Sequence, residues 1–130
     1  GSRHPATHTL IEQNLQYIDM KGSEVFKFAT RILGEAVERA LEGAGLAMEN
    51  IDWLIPHQAN IRIIEAAGKR LHLPKERLVV NLDRYGNTSA ATSPIALDEV
   101  VRDGRLQEGQ VVALVAFGGG LTWGSNIIRW

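Results

Sequence analysis

The sequence of 130 residues contains no cysteine, which excludes disulfides and thiolate-based metal sites and fits a reducing compartment. It also contains no run of about 18 apolar residues, so it predicts no segment that spans a membrane. The net charge is only −1, so the chain lacks the general basic field that favours binding to nucleic acid. Enzymes, binding modules and structural domains remain as candidate classes.

The composition is that of an ordinary globular domain, with 45% apolar and 22% charged residues. The polar, histidine-containing N-terminus has no signal-peptide pattern. Gly1 and Ser2 resemble a scar left by tag removal. We therefore expect residues 1–14 to be this scar and a lead-in loop, and residues 15–130 to form one domain.

Strand and helix patterns alternate along the chain. A period of three and four predicts a helix that Ser23 caps and that ends at Gly43 and Gly45. Further helices are predicted from Asn60 to about residue 71, with Ile61, Ile64, Ala67 and Leu71 inward, and from Ser93 to Asp103. Strands are predicted at residues 16–20, 51–56, 78–82, 111–117 and 122–130.

The resulting order, β-α-β-α-β-α-β-β, predicts an α/β fold. Its sheet is expected to have five strands and to be mixed, because the last strand returns antiparallel through a glycine turn. Helices are expected on both faces of the sheet. Ligands of such sheets gather outside the carboxyl ends of the parallel strands, where residues 56–60, 85–89 and 117–120 are expected.

Each of these segments has a structural and a functional interpretation. His57 either caps a turn or acts as a hydrogen-bond donor or proton-transfer group held by rigid backbone. Asn87 either shapes a turn with Gly86 or offers a fixed amide donor to an oxygen that gains negative charge. No second ligand stands at a suitable spacing from His57, so no metal site is predicted.

The glycine run 118–120 is either a hairpin turn or a place where bare N–H groups face a ligand. It lacks the lysine and hydroxyl residue of a P-loop. Four basic side chains form either a solvated face or a local patch for an acidic partner: Lys27, Arg62, Lys69 and Arg70.

Together, three motifs in order and at matching spacing resemble one family, β-ketoacyl-acyl-carrier-protein synthase III. Residues 52–60 (DWLIPHQAN) resemble its histidine motif, residues 83–91 (DRYGNTSAA) its asparagine motif, and residues 117–125 (FGGGLTWGS) its C-terminal glycine signature. The resemblance extends from about Tyr17 to Trp130. It implies one half of a thiolase-like fold, the C-terminal half, and it places the nucleophilic cysteine in the other half.

The resemblance also implies residue roles. The family joins acyl-CoA, usually acetyl-CoA, to malonyl-acyl carrier protein without a cofactor. By resemblance, His57 and Asn87 donate hydrogen bonds to the malonyl thioester oxygen, and the N–H of Gly119 helps hold the acyl-enzyme oxygen. Phe117 lines the site and Asn60 lies near the pantetheine arm. The basic residues Lys27, Arg62, Lys69 and Arg70 match the docking surface for carrier protein and CoA phosphates.

Without a cysteine, this chain is expected to be inactive by itself. Its expected partners are the cysteine-bearing half, acyl carrier protein and CoA thioesters in the cytoplasm, with the full enzyme a homodimer that binds neither nucleic acid nor membrane. Three alternatives stay open: a non-catalytic half-domain that binds acyl thioester or carrier protein, a half-fold that assembles with itself, and a related type III polyketide or hydroxymethylglutaryl-CoA synthase. The signature at 117–125 favours the ketoacyl synthase.

Overall fold

A computed structural model describes residues 3–130. The expected scar, Gly1 and Ser2, lies outside the described residues. Instead of a continuous lead-in loop, the chain forms a short helix, α1 (His8–Glu12), because the Thr7 hydroxyl accepts a hydrogen bond from the N–H of Leu10 at 3.2 Å. The predicted strand at residues 16–20 is wrong: this segment pairs with no strand in the described part of the chain.

The long amphipathic helix is confirmed as α2 (Gly22–Ala44). Its capping differs from the prediction. The carbonyl of Lys21 accepts from the N–H groups of Glu24 and Val25, so the first turn begins before Ser23 and the serine side chain does not cap it. At the other end Gly45 has φ = 67°, the left-handed conformation expected of a helix-ending glycine.

Three strands form one mixed sheet in the order β1 (Trp53–Pro56), β2 (Val111–Gly118) and β3 (Thr122–Arg129). The first pair is parallel and the second antiparallel, with Pro56 opposite Val115 and Gly118 opposite Thr122. The predicted antiparallel return after the glycine run is therefore confirmed. The expectation of five strands is not met in residues 3–130.

The predicted strand at residues 78–82 leaves the sheet after a single bridge. Leu78 pairs with Leu54, and the N–H of Val79 donates to the Leu54 carbonyl at 2.9 Å. Two residues later the backbone N–H of Asn81 bonds to the Gln58 side chain instead of to a strand, at 3.0 Å. Leu82 then begins the short helix α4 (Leu82–Tyr85), which ends the extended run.

Helix α3 (Ile61–Arg70) begins where the sequence predicts, because the Asn60 side chain accepts from the N–H of Arg62 at 2.9 Å. The first residue that faces the core differs from the prediction. Ile61 is exposed and Ile63 is buried in its place, whereas the other predicted inward residues, Ile64, Ala67 and Leu71, are buried. Helix α5 (Thr92–Arg102) begins one residue earlier than predicted, with Pro94 still within its first turn.

Short 3₁₀ helices complete the chain at Met48–Asn50, Lys75–Arg77 and Ser89–Ala91. The main helices lie on both faces of the sheet, as predicted. One core cluster joins α2 and α3 to Leu54, Ala113 and Val115. The other joins α5 to Ile55 and Val112. Alternate residues of each strand therefore point to opposite cores, and the carboxyl ends of β1 and β2 stay open at one edge.

Large apolar side chains are exposed mainly before α2 and near the ends of β3. Ile18 is 96% exposed, and Tyr17, Met20 and Trp123 are also exposed. Ile18, Met20 and Leu121 line one cavity, and exposed apolar surface of this kind is typical of a contact with another body. No helix within residues 3–130 has the length and apolar character needed to cross a membrane.

Candidate active site

The segment after β1, the loop after α4 and the end of β2 meet at the open edge of the sheet. His57, Asn87, Phe117 and Gly118 all line an open cavity of about 320 Å³. The same four residues line a neighbouring cavity of about 330 Å³ on the side of α5. The imidazole and the carboxamide are thus brought to the same place by two separate chain segments.

His57 is held on three sides. Its backbone N–H donates to the carbonyl of Val115 at 2.8 Å, which continues the parallel ladder one residue past β1. Its ring lies edge-on to Phe117 with centroids 5.7 Å apart, and its Nδ1 lies 2.6 Å from the hydroxyl of Thr92. Burial lowers the pKa of His57 below its usual value, because the half-buried ring loses hydration of its charged form.

Asn87 is presented by a turn that requires glycine at position 86. Gly86 ends α4 with φ = 66° and ψ = −158°, a combination essentially restricted to glycine. The Asn87 side-chain oxygen then accepts from the N–H of Ser89 at 3.0 Å. This bond orients the amide, and within residues 3–130 nothing accepts a hydrogen bond from its Nδ2. The side chain is exposed, so its two N–H groups are available to a ligand.

Two residues of the glycine run border the site. Gly118 lines both cavities beside His57, and Gly119 lines an adjacent cavity that Phe117 and Gly118 also line. A Cβ built on Gly118 or Gly119 would meet no described atom within 4 Å. The space beside this turn is therefore open from the side of residues 3–130.

Asn60 combines a structural role with a position at the cavity. Its side-chain oxygen caps α3, and the residue lines the cavity that His57 and Asn87 share. Its side-chain oxygen is occupied by the cap, so its Nδ2 is the group that can reach a ligand.

The four basic residues lie on two adjacent helices and differ in how they are held. Lys27 and Lys69 are exposed. The Arg62 guanidinium lies 5.2 Å from the ring centre of Phe26, a cation–π contact between α3 and α2. Arg70 pairs with Glu35 at 3.9 Å, so its charge is partly compensated.

Two polar side chains that the sequence did not single out support the site. Gln58 is fully buried; its amide donates to the carbonyls of Pro56 and Val79, and its oxygen accepts from the N–H of Asn81. Thr92, 2% exposed, contacts His57 directly. Neither carries a sequence signal, since Gln58 follows a histidine in a loop and Thr92 stands in a run of small residues.

A carboxylate on α5 fixes the helix that precedes Asn87. Glu99 accepts from the amide of Asn81 at 2.8 Å, from the guanidinium of Arg84 and from the hydroxyl of Tyr85 at 3.1 Å. The hydrogen bond to Glu99 is the largest cause that raises the pKa of Tyr85. These contacts hold both ends of α4 and thereby the start of the Gly86–Asn87 turn.

The arrangement places two side chains with N–H groups at one cavity. In the part of the chain that the structure describes, no three histidine, aspartate or glutamate side chains converge as metal ligands. A ring N–H and an amide N–H that face the same cavity can stabilise an oxygen on which negative charge develops.

Comparison with known proteins places the chain in one family. A sequence model described as 3-oxoacyl-[acyl-carrier-protein (ACP)] synthase III C terminal matches residues 41–130. A β-ketoacyl-[acyl-carrier-protein] synthase III of Desulfitobacterium hafniense is 55% identical over 130 residues, which is 100% of this chain and 39% of that protein. A protein of the same name from Clostridioides difficile is 54% identical over 100% of this chain and 40% of its own length.

Solved structures support the same family. The synthase III from Thermus thermophilus superimposes with a TM-score of 0.84 at 55% identity, over 86% of this chain and 35% of that one. The 3-oxoacyl-[acyl-carrier-protein] synthase III from Aquifex aeolicus gives a TM-score of 0.86 at 48% identity, over 90% of this chain and 38% of that one. This chain therefore spans well under half the length of its relatives. It has their thiolase-like α/β fold and belongs to the β-ketoacyl-[acyl-carrier-protein] synthase III family, corresponding to the C-terminal part of that enzyme.

Proposed function

We propose that this chain is the C-terminal catalytic part of a condensing enzyme that joins acyl-CoA, with acetyl-CoA as the expected primer, to malonyl-acyl carrier protein and so initiates fatty acid synthesis. One observation carries the proposal: His57 and Asn87 line the same cavity at the carboxyl ends of the parallel strands. The names of the relatives, β-ketoacyl-[acyl-carrier-protein] synthase III, agree with this chemistry.

The two donors act on the malonyl group. When its terminal carbon–carbon bond breaks, CO₂ leaves and the electron pair passes to the thioester, whose oxygen becomes an enolate oxygen. His57 Nε2–H and Asn87 Nδ2–H donate to that oxygen, so they stabilise the charge that appears in the transition state. The enolate carbon then attacks the acyl-enzyme carbonyl, a new carbon–carbon bond forms and the cysteine thiolate leaves.

A neutral His57 suits this role. Burial lowers its pKa, so the ring is uncharged near pH 7. Neutral imidazole is a much weaker acid than imidazolium, so it donates a hydrogen bond without transferring its proton to the enolate and quenching the nucleophile. Phe117 packs against the ring, with the ring centroids 5.7 Å apart.

The nucleophile lies outside this chain, which contains no cysteine. We assign it to the part of the enzyme that these 130 residues do not include, because the chain spans 39% of a relative's length. The open space beside Gly118 and Gly119 is where the acyl-cysteine enters. There the N–H of Gly119 and the N–H of the cysteine hold the acyl oxygen. The rest of the enzyme also covers exposed apolar residues such as Ile18 and Trp123.

The remaining site residues position the substrates. The Asn60 amide contacts the pantetheine arm, and the basic residues of α2 and α3 bind the acidic carrier protein and the phosphates of CoA. Lys27, Arg62, Lys69 and Arg70 supply a local positive field that steers an acidic partner although the net charge is −1. The complete enzyme acts as a cytoplasmic homodimer.

Decarboxylation of malonyl-acyl carrier protein by the full-length enzyme tests the proposal. We expect His57→Ala and Asn87→Asp each to lower the rate by about 10²–10³-fold. Asn87→Asp retains the oxygen that accepts from Ser89 but removes the amide donor. A loss of rate in this variant therefore comes from the missing donor and not from a changed turn. His8→Ala, at an exposed position that lines neither cavity shared by His57 and Asn87, serves as the control. Wild-type decarboxylation in both site variants would remove the assigned roles.

The chain without its companion provides a second test. We expect no condensation by the purified 130-residue chain, because it cannot form an acyl-cysteine. Turnover by the chain in isolation would refute the assignment of the nucleophile to another part of the enzyme.

A further inference from the structure

The hydroxyl of Thr92 lies between two groups that compete for its single proton. Its oxygen is 2.6 Å from His57 Nδ1 and 3.0 Å from the carbonyl oxygen of Ser89. Thr92 is 2% exposed, so solvent does not supply a further partner. A hydroxyl donates one hydrogen bond at a time, and the choice between the two acceptors determines the state of the imidazole.

Each choice fixes a different tautomer of a neutral His57. If the Thr92 hydroxyl donates to Ser89, Nδ1 must carry the ring proton and donate to Thr92, and Nε2 is left as an acceptor. If the hydroxyl donates to Nδ1, the ring proton must be on Nε2. Within residues 3–130 no group bonds to Nε2, so this nitrogen is available to the cavity.

Two features favour donation to the ring. The separation of 2.6 Å to Nδ1 is the shorter of the two contacts and is the one expected of a strong hydroxyl hydrogen bond. The Ser89 carbonyl already accepts from the backbone N–H of Thr92, where the 3₁₀ helix ends. It therefore stays bonded when the hydroxyl turns to His57, and no buried carbonyl is left without a donor.

We propose that Thr92 is a positioning residue that sets the tautomer of His57: its hydroxyl donates to Nδ1 and thereby keeps the ring proton on Nε2, facing the cavity. The inference deepens the proposed function, on which it rests, because only the Nε2–H form can donate to a substrate oxygen. It also gives the hydroxyl at position 92 a role that a threonine chosen only for packing would not have.

Nitrogen-15 NMR of the histidine-labelled 130-residue chain tests this without any assay of activity. The chain has four histidines, so the His57 signals are identified by their loss in His57→Gln. Above its pKa we expect wild-type His57 to show a protonated Nε2 and an unprotonated Nδ1. A protonated Nδ1 in the wild type would overturn the proposal; His57→Gln serves only to identify the signals, and the tautomer is read from the wild-type chain.

The tautomer of the Thr92 variants provides an independent test. Thr92→Val keeps the shape and removes the hydroxyl. If Thr92 donates to Nδ1, its removal leaves neither ring nitrogen with a fixed donor, and the neutral His57 ring of Thr92→Val loses its preference for the proton on Nε2. Thr92→Ser keeps a hydroxyl at this position and should keep the Nε2–H form. The same tautomer population in Thr92→Val and in the wild type would contradict the proposal.

Kinetics of the full-length enzyme then connect the tautomer to the reaction. We expect Thr92→Val to lower kcat for decarboxylation by about tenfold, the value of one hydrogen bond, at unchanged KM, and Thr92→Ser to restore it. If NMR shows the Nε2–H form but His57→Ala decarboxylates normally, the tautomer assignment stands and the proposed function fails. If His57→Ala is inactive but Nδ1 is protonated, the proposed function stands and the tautomer assignment fails.

Discussion

The backbone N–H of His57 donates to the carbonyl of Val115, a residue of the neighbouring strand β2, at 2.8 Å. This bond means that the residue after β1 is still part of the parallel ladder, so the imidazole is positioned by the sheet and not by a free loop. Sites built on strands in this way keep their geometry better than sites carried by loops.

The lowered pKa of His57 predicts how stability depends on pH. The pKa in the folded chain lies below the unfolded value of about 6.5, because burial disfavours the charged ring. As pH falls, the unfolded chain binds this proton first, so the contribution of His57 to stability is full above about pH 6.5 and is lost as pH falls through the folded pKa.

An NMR titration of the His57 ring measures this directly, and urea unfolding at a series of pH values measures the linked loss of stability. We expect a midpoint below 6.5 and a smaller pH dependence of stability in His57→Gln. A midpoint at or above 6.5 would show that burial does not dominate the ring's environment.

The Glu99 contacts predict a loss of stability centred on α4. Glu99→Ala leaves the 1%-exposed Asn81 without its carboxylate partner, so we expect the free energy of unfolding to fall by about 1–3 kcal/mol. Asp98→Ala, which removes an exposed pair with Arg102 on the same helix, is the control and should change it by less than about 0.5 kcal/mol. Equal losses would mean that the cluster is no more than another surface pair.

Glu99→Gln separates charge from shape in the same cluster. It retains the side-chain length but removes the negative charge that holds the proton on Tyr85. We expect the pKa of Tyr85 to fall, because the hydrogen bond to Glu99 is the largest cause that raises it. Ultraviolet titration of the tyrosinates measures the change. An unaltered Tyr85 titration would place the hydroxyl away from Glu99 in solution.

Two glycines of α2 give a matched pair for the contact with α3. A Cβ on Gly43 would meet no described atom within 4 Å, so Gly43→Ala should stabilise the helix by about 0.4–1 kcal/mol. A Cβ on Gly34 would lie within reach of the Arg70 side chain, which must move and loses its pairing with Glu35. We expect Gly34→Ala to gain less or to destabilise the chain in urea unfolding; the same gain at both positions would show that Arg70 does not pack on Gly34.

The basic residues of α2 and α3 predict a salt-sensitive interaction with an acidic carrier protein. We expect Arg62→Glu and Lys69→Glu each to weaken binding to the full-length enzyme by roughly tenfold at low ionic strength, mainly through the association rate, and the difference to shrink as salt screens the charges. Arg129→Glu, at the opposite end of the sheet from His57, is the control. A loss of the same size in Arg129→Glu would show that the net charge of the enzyme, and not a local docking surface, governs binding.

The sequence predicted correctly those structural features that depend on residues close together in the chain. The period of α2, the Asn60 cap and the return of β3 after the glycine run each depend on neighbouring residues, and each is present. The strand predicted at residues 16–20 depends on a partner strand, and residues 3–130 supply none. Its alternating side chains are consequently left exposed, as Ile18 shows.

The residues of the site also fall into two groups, those that the sequence predicts and those that it does not. His57 and Asn87 stand in motifs long enough to be recognised, and the structure places both at one cavity. Thr92 and Glu99 do not, because their importance comes from contacts with residues 35 and 18 positions away. Such contacts exist only after the chain has folded, and a single sequence carries no trace of them.

The most direct test of the account is a double-mutant cycle on decarboxylation of malonyl-acyl carrier protein by the full-length enzyme, with His57→Ala, Asn87→Ala and both together. If the two side chains donate to the same oxygen, their effects are coupled, and the double variant loses markedly less activation free energy than the sum of the single losses. Strictly additive losses would mean that the imidazole and the carboxamide act at separate places, and the shared oxygen site would be refuted.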